Sequence, residues 1–131
     1  AALVIGASRD GDAVAEKRGL AAARLAAVKA DVGARIGECS LSLAAVARRL
    51  KITPRQIQRL FAGEGTTFSE FVLDQRLVRA HGLLIESQRS GRSISTIAFE
   101  AGFGDLSYFN RTFRRRYGAT PSDIRTAPRR F

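Results

Sequence analysis

Ser42-Leu43-Ala44-Ala45-Val46-Ala47 and Ser93-Ile94-Ser95-Thr96-Ile97-Ala98 carry the same pattern of capping, apolar and small residues, 51 positions apart. The match runs on with Ile52 over Phe103. After one inserted residue, Ile57, Arg59 and Phe61 fall on Phe109, Arg111 and Phe113. After a second, Gly65-Thr66-Thr67-Phe68-Ser69-Glu70-Phe71 falls on Gly118-Ala119-Thr120-Pro121-Ser122-Asp123-Ile124. Apolar, capping and glycine positions recurring in one order mark two copies of a single unit.

Each copy reads as a short helix, a tight turn, a second helix and a glycine stop. In the first, Ser42 is an N-cap and Val46 and Leu50 are buried. Thr53-Pro54 then restarts a helix, with Gln56 completing a Thr-x-x-Gln capping box. In the second, Ser93 caps the first helix, Ile97 and Ala101 face inward, Gly102 permits the turn, and Asp105 caps the second helix. The i,i+4 pairs Ile57/Phe61 and Phe109/Phe113 pin each second helix to its partner. Small Ala47 and Ala98 let the two helices of each unit approach closely. This is helix-turn-helix geometry.

Between the copies, Thr67-x-x-Glu70 reads as a capping box. Leu73, Leu77, Ala80 and Leu84 then recur at helical spacing, predicting one linking helix over residues 67–87. Upstream, Leu25, Val28, Val32 and Ile36 predict a helix over 20–36 that ends at Gly37. The polar, glycine-punctuated stretch 6–19 reads as a linker or the trailing end of an upstream domain. The expected fold is therefore all-α, with homeodomain-like three-helix units. Residues 1–19 form a tail, 20–66 a first helix-turn-helix unit, 67–87 the linking helix and 88–131 a second unit.

The charge of the chain narrows what such units could serve. Twenty-two Lys and Arg against twelve Asp and Glu leave +10 in 131 residues. Residues 1–40 hold six basic and five acidic side chains, so nearly all the excess lies in 41–131, densest at Arg114, Arg115, Arg116, Arg125, Arg129 and Arg130. A polyanionic partner, nucleic acid or an acidic membrane surface, is the leading expectation. Nineteen of the cations are arginine, whose planar guanidinium bonds phosphate and base edges bidentately where lysine cannot. One cysteine, Cys39, and one histidine, His81, leave no disulfide framework and no Cys/His metal cluster to assemble. No apolar run is long enough to span a membrane, and Ala1–Ala7 lacks the charged flank of a signal peptide. The expectation is a soluble chain from a reducing compartment and, with no methionine at position 1, a fragment of something longer.

Removing the core-facing residues from the second helix of each unit leaves Arg55, Gln56, Gln58 and Arg59 in the first. It leaves Leu106, Ser107, Tyr108, Asn110, Arg111 and Arg114 in the second. Arg pairs with guanine, Asn and Gln with adenine, and apolar side chains with the thymine methyl, so both faces have the makeup of a major-groove reader. An ordinary polar helix surface is the alternative for either face alone. A linking helix of about 20 residues is a rod of roughly 30 Å, close to the 34 Å between successive major-groove segments on one face of B-DNA.

Two other classes of protein fit the residues less well. For an enzyme, no glycine-rich phosphate loop, no carboxylate pair in a cleft setting and no His-dependent triad can be assembled. His81 reads as a surface or boundary residue and Cys39 as an inert helix end. For a basic RNA-binding or protein-interaction module, paired exposed aromatics for base stacking are lacking.

From about Leu20 to Arg125 the chain resembles the C-terminal DNA-binding domain of the AraC/XylS transcription regulators. The likeness rests on Leu41-Ser42-Leu43, on Arg76-Leu77-x-x-Ala80-x-x-x-Leu84, and above all on two linked stretches. The first is Ile97-Ala98-x-x-Ala101-Gly102-Phe103-x-x-x-Ser107-Tyr108-Phe109-x-Arg111-x-Phe113. The second is Tyr117-Gly118-x-Thr120-Pro121-Ser122-x-x-Arg125. It implies that Arg55, Gln58 and Arg59 are base- and phosphate-contacting positions of the first reading helix, and Leu106, Ser107, Asn110 and Arg111 those of the second. It further implies sequence-specific binding of double-stranded DNA in the bacterial cytoplasm, as part of a ligand-responsive activator. RNA polymerase is implied as a partner, and any effector would bind a separate N-terminal domain. No cofactor is implied. Lys51 departs from the family, which usually has glycine in the first turn. A lysine in a left-handed turn costs about 1 kcal/mol but sets a cation near the phosphates.

Overall fold

The computed structural model describes residues 2–127; Arg129 and Arg130 of the basic end lie outside them. The chain folds as α1 (Ala2–Ala34), α2 (Leu43–Leu50), α3 (Pro54–Ala62), α4 (Phe68–Ser90), α5 (Ile94–Glu100), α6 (Leu106–Tyr117) and α7 (Pro121–Thr126), with no strand among the described residues. The all-α expectation with two helix-turn-helix units is what the fold shows.

Local chemistry sets the helix starts. The side chains of Ser42, Thr53, Thr67, Ser93 and Asp105 each accept from the backbone N–H three residues on, as their sequence positions predict. The inner turns of the two units close identically: Ile52 N donates to Ala47 O at 3.1 Å, and Phe103 N donates to Ala98 O at 3.0 Å. At the residue before each donor the chain adopts positive φ, 58° at Lys51 and 99° at Gly102.

Two cores result. Val28, Val32 and Ile36 pack with Val46 and Ala47 of α2, Ile57 and Phe61 of α3, and Phe68 and Val72 of α4. Leu77, Ala80 and Leu84 of α4 pack with Ile97, Ala98, Ala101, Phe103, Phe109 and Phe113. The linking helix thus gives its first half to one unit and its second half to the other. From Val72 to Leu77 is five residues, which at 100° each turns the buried face of α4 by about 140°. In the second core the rings form a chain, with centroids 4.9 Å apart for Phe103/Phe109, 5.5 Å for Phe109/Phe113 and 4.7 Å for Phe113/Tyr117. His81, half-buried, lies 4.7 Å from the Tyr117 ring, at the boundary position expected of it.

Several local expectations need correction. Residues 6–19 are helical, because α1 runs unbroken to Ala34; alanines supply high helix propensity and carry the chain across the isolated glycines. That helix stops three residues before Gly37, with Ile36 buried in the turn beyond it. Leu50 is half-buried, not buried. Glu70 does not close a box with Thr67: its carboxylate accepts from the Thr66 hydroxyl at 2.9 Å. The linking helix continues to Ser90, where Gly91 at φ 67° ends it. Finally, α7 starts from Thr120-Pro121-x-Asp123, a full capping box of the same kind as Thr53-Pro54-x-Gln56.

The two units also touch through a seam beside α4. Arg76 donates to Ile36 O at 3.2 Å through Nε and to Glu38 O at 2.8 Å through Nη2. Arg79 Nε donates to Glu100 O at 3.3 Å, and the Cys39 thiol donates to Gly102 O at 3.4 Å. Burial lowers the pKa of the Arg76 guanidinium from the ordinary arginine value. Gly37 is needed for closeness, since a Cβ there would lie 2.9 Å from Glu100 O.

One ion pair ties α1 to α2. Arg49 Nη2 donates to Asp31 Oδ2 at 2.7 Å and its Nε spans both carboxylate oxygens, with Arg35 at 3.5 Å. The hydrogen bonds from Arg49 hold the Asp31 pKa below the usual carboxylate range. Its contribution to stability is therefore complete above about pH 4 and is lost as pH falls through the lowered native value. Asp31→Asn is expected to lower Tm by a few degrees at pH 7 and to have a shrinking effect as pH falls below the usual carboxylate range; thermal melts across that range test it.

Candidate nucleic-acid interface

On α3, Ile57 and Phe61 point into the first core, so Arg55 and Arg59 fall on the opposite side with Gln58 at one flank; all three are exposed. Gln56 sits at the other flank, half-buried, and its Oε1 accepts from Thr53 N at 2.8 Å. Only its amide NH2 is left to reach outward.

On α6, Phe109, Thr112 and Phe113 are buried, which turns Ser107, Asn110, Arg111 and Arg114 outward. Leu106 and Tyr108 lie on the flanks, exposed by 44% and 42%, values that leave apolar surface on the outer side of α6 instead of in a core. Leu106, Asn110, Arg111 and Arg114 share a groove of about 580 Å³ with Ile94 and Thr120–Ser122. Tyr108 faces a different one, the cleft of about 460 Å³ between the units, and holds Arg111 6.0 Å above its ring. The ten residues expected at the interface thus lie on two helices, six of them across two sides of α6.

Charge pairing sorts the cations. Lys29 pairs with Glu64 at 2.9 Å, Arg49 with Asp31, Arg92 with Glu100, and Arg116 with Asp74 at 2.8 Å. Arg76, Arg79 and Arg125 are spent on backbone carbonyls. Among the described residues, Arg48, Lys51, Arg55 and Arg59 on or near α3 form no salt bridge, nor do Arg111 and Arg114 on α6, although the charge of Arg114 helps to lower the Asp123 pKa. Arg116, counted in the basic end, is exposed but engaged by Asp74 of α4. Lys17 and Arg24, lying in and beside the expected tail, come to rest near α3; their spacing with Ala21 and Val28 on one helical face was the signal for this.

No group of His, Cys, Asp and Glu among the described residues could hold a metal, and no described helix is long and apolar enough to cross a membrane. Two helix-turn-helix units on a shared helix, each presenting an exposed, cation-bearing second helix, define a DNA-binding module.

A family model described as a helix-turn-helix domain matches residues 46–127. The transcriptional activator RhrA of Rhizobium meliloti is 50% identical over 102 residues, 78% of this chain and 32% of that protein. A crystal structure of a transcriptional regulator with an AraC-type DNA-binding domain from Chromobacterium violaceum superposes with a TM-score of 0.68 at 33% identity, covering 77% of this chain and 88% of that one. A DNA-binding transcriptional dual regulator from Escherichia coli K-12 gives 0.68 at 28% identity, over 76% and 92%. The chain spans about a third or less of the length of the curated relatives it matches. The chain belongs to the AraC/XylS family of DNA-binding transcription regulators, a non-enzymatic role.

Proposed function

We propose that this chain is the sequence-reading domain of a bacterial transcription activator and that α3 and α6 enter successive major grooves of one duplex. The observation that carries the reading is the mounting of both helices on α4, whose 23 residues make a rod of about 34 Å, the repeat of B-DNA along one face. Arg55, Gln58 and Arg59 read one segment, with Gln56 contributing only through its NH2. Leu106, Ser107, Tyr108, Asn110, Arg111 and Arg114 serve the other. Because the two helices carry different side chains, the site is asymmetric and needs no second copy of the chain.

The activator role follows the printed name of the Rhizobium relative. Response to an effector is assigned to a further N-terminal domain, contact with RNA polymerase to the assembled regulator, and the site of action to the bacterial cytoplasm. The domain division at 20–66, 67–87 and 88–131 belongs to the same reading, with α1 extending its first unit upstream.

Footprinting tests this directly. One chain should protect two major-groove segments about one helical turn apart, on one face of an asymmetric site. Arg59→Ala or Arg111→Ala should each cost about 1–3 kcal/mol of binding and relax base preference in one half only. Arg115→Ala should weaken all sequences alike or do nothing. A single protected groove, or a palindrome that requires two chains, refutes the arrangement.

A further inference from the structure

Where α1 passes α3, the two helices leave a groove of about 280 Å³ lined by Lys17, Leu20, Arg24, Gln56, Arg59 and Leu60. Its floor is apolar and its rim is cationic. Lys17, Arg24 and Arg59 have no acidic partner among the described residues. The matching gap of the second unit, between α4 and α6, is lined by Glu70, Asp74, Arg115 and Arg116, and there Asp74 takes up Arg116 at 2.8 Å. One gap holds three cations and no carboxylate; the other balances two carboxylates against two guanidiniums.

Geometry says what would face that rim. A helix with its side chains is about 10–12 Å across and the major groove about 12 Å wide. A reading helix fills the groove, so whatever lies directly beside it stands over the bordering phosphates. Lys17 and Arg24 are seven residues apart, on the same side of α1, and about 10 Å from each other along its axis. That span covers two phosphates of one strand, which are spaced by less than this.

We propose that Lys17 and Arg24 of α1 bind the phosphate backbone bordering the first reading groove, extending contact outward from the first unit only. This rests on the reading of α3 as a groove-binding helix. The second unit offers no such excess, because Glu70 and Asp74 balance Arg115 and Arg116 in its gap. The footprint should therefore be longer on the side read by α3.

The test is a salt titration of duplex binding by the chain with Lys17→Ala and Arg24→Ala together. Alanine favours helix, and circular dichroism should show α1 intact. The slope of log affinity against log salt should become shallower by about 2, affinity should drop several-fold on every duplex alike, and the outer edge of the footprint should retreat. The charge-preserving pair Lys17→Arg and Arg24→Lys should bind as wild type, as should Arg18→Ala, which lies outside the groove. An unchanged slope and footprint in the alanine pair, with steep salt dependence retained in wild type, overturns this proposal alone. Loss confined to one base sequence overturns the phosphate assignment. A flat salt response in the wild-type chain overturns the DNA reading on which it stands.

Discussion

Raising salt from 50 to 200 mM is expected to weaken duplex binding roughly 10³-fold. Arg48, Lys51, Arg55, Arg59, Arg111 and Arg114 are cations without a salt bridge on or beside α3 and α6, the helices proposed to read the duplex. Each phosphate neutralised releases condensed counterion, giving a slope of about −0.9 per contact. Six contacts give a slope near −5, which the two proposed at Lys17 and Arg24 would steepen to about −7, and a four-fold rise in salt raised to the fifth power is already about three decades. Cations already engaged within the fold, such as Arg116 with Asp74 and Arg49 with Asp31, should not enter the sum. Fluorescence anisotropy across the salt series measures the slope, and a value between 0 and −2 would mean that most of these guanidiniums meet no phosphate.

The second large effect is expected at Gly102. Its backbone sits at φ 99°, where an L side chain is strained, and a Cβ would lie 2.4 Å from Ile36 O and 2.6 Å from Arg76 Nε. Strain of about 1–2 kcal/mol adds to overpacking of about 1–3 kcal/mol. Gly102→Ala should therefore destabilise the fold by about 2–5 kcal/mol in urea unfolding. The repeat supplies the opposite experiment. Lys51 occupies the same place in the first turn at φ 58° and is exposed, so Lys51→Gly relieves strain without disturbing packing. It should stabilise by up to about 1 kcal/mol while weakening DNA binding through the lost cation. If Gly102→Ala proves neutral, the seam between the units is looser than the structure has it.

These two turns also show what could be read in the chain before it folded. Caps at Ser42, Thr53, Ser93 and Asp105 and the pairs Ile57/Phe61 and Phe109/Phe113 are decided within four residues, so local pattern was sufficient for them. Gly102 was legible as a turn residue, but its contact with Ile36 and Arg76 joins segments some 26 to 66 positions apart, and nothing near Gly102 encodes that. Gly37 looked like a helix stop for the same reason: the carbonyl that excludes its side chain comes from Glu100. Residues 6–19 failed differently. Their helix has no apolar stripe to betray it, because it is solvated along the stretch where exposure can be assigned, residues 10–19, and Lys17 was thereby missed. On the reading faces, outward direction came from helical periodicity. The use of the Gln56 carbonyl in a cap was written in the same four residues that nominated it for the interface.

The 140° turn of the buried face along α4 makes that helix a phase gauge as well as a ruler. Adding one residue between Val72 and Leu77 lengthens it by about 1.5 Å and swings the second unit through about 100°. Adding seven nearly restores the angle, to within about 20°, but lengthens the rod by about 10 Å. That equals about three base pairs of duplex, over which the groove itself rotates by roughly 100°. Protein screw and DNA screw have different pitches, so a short added segment that corrects distance leaves the angle wrong. On the two-groove reading, spacing between the halves of the target is locked to this helix, and regulators of this build can diversify their target through the side chains of α3 and α6 far more readily than through the interval between them.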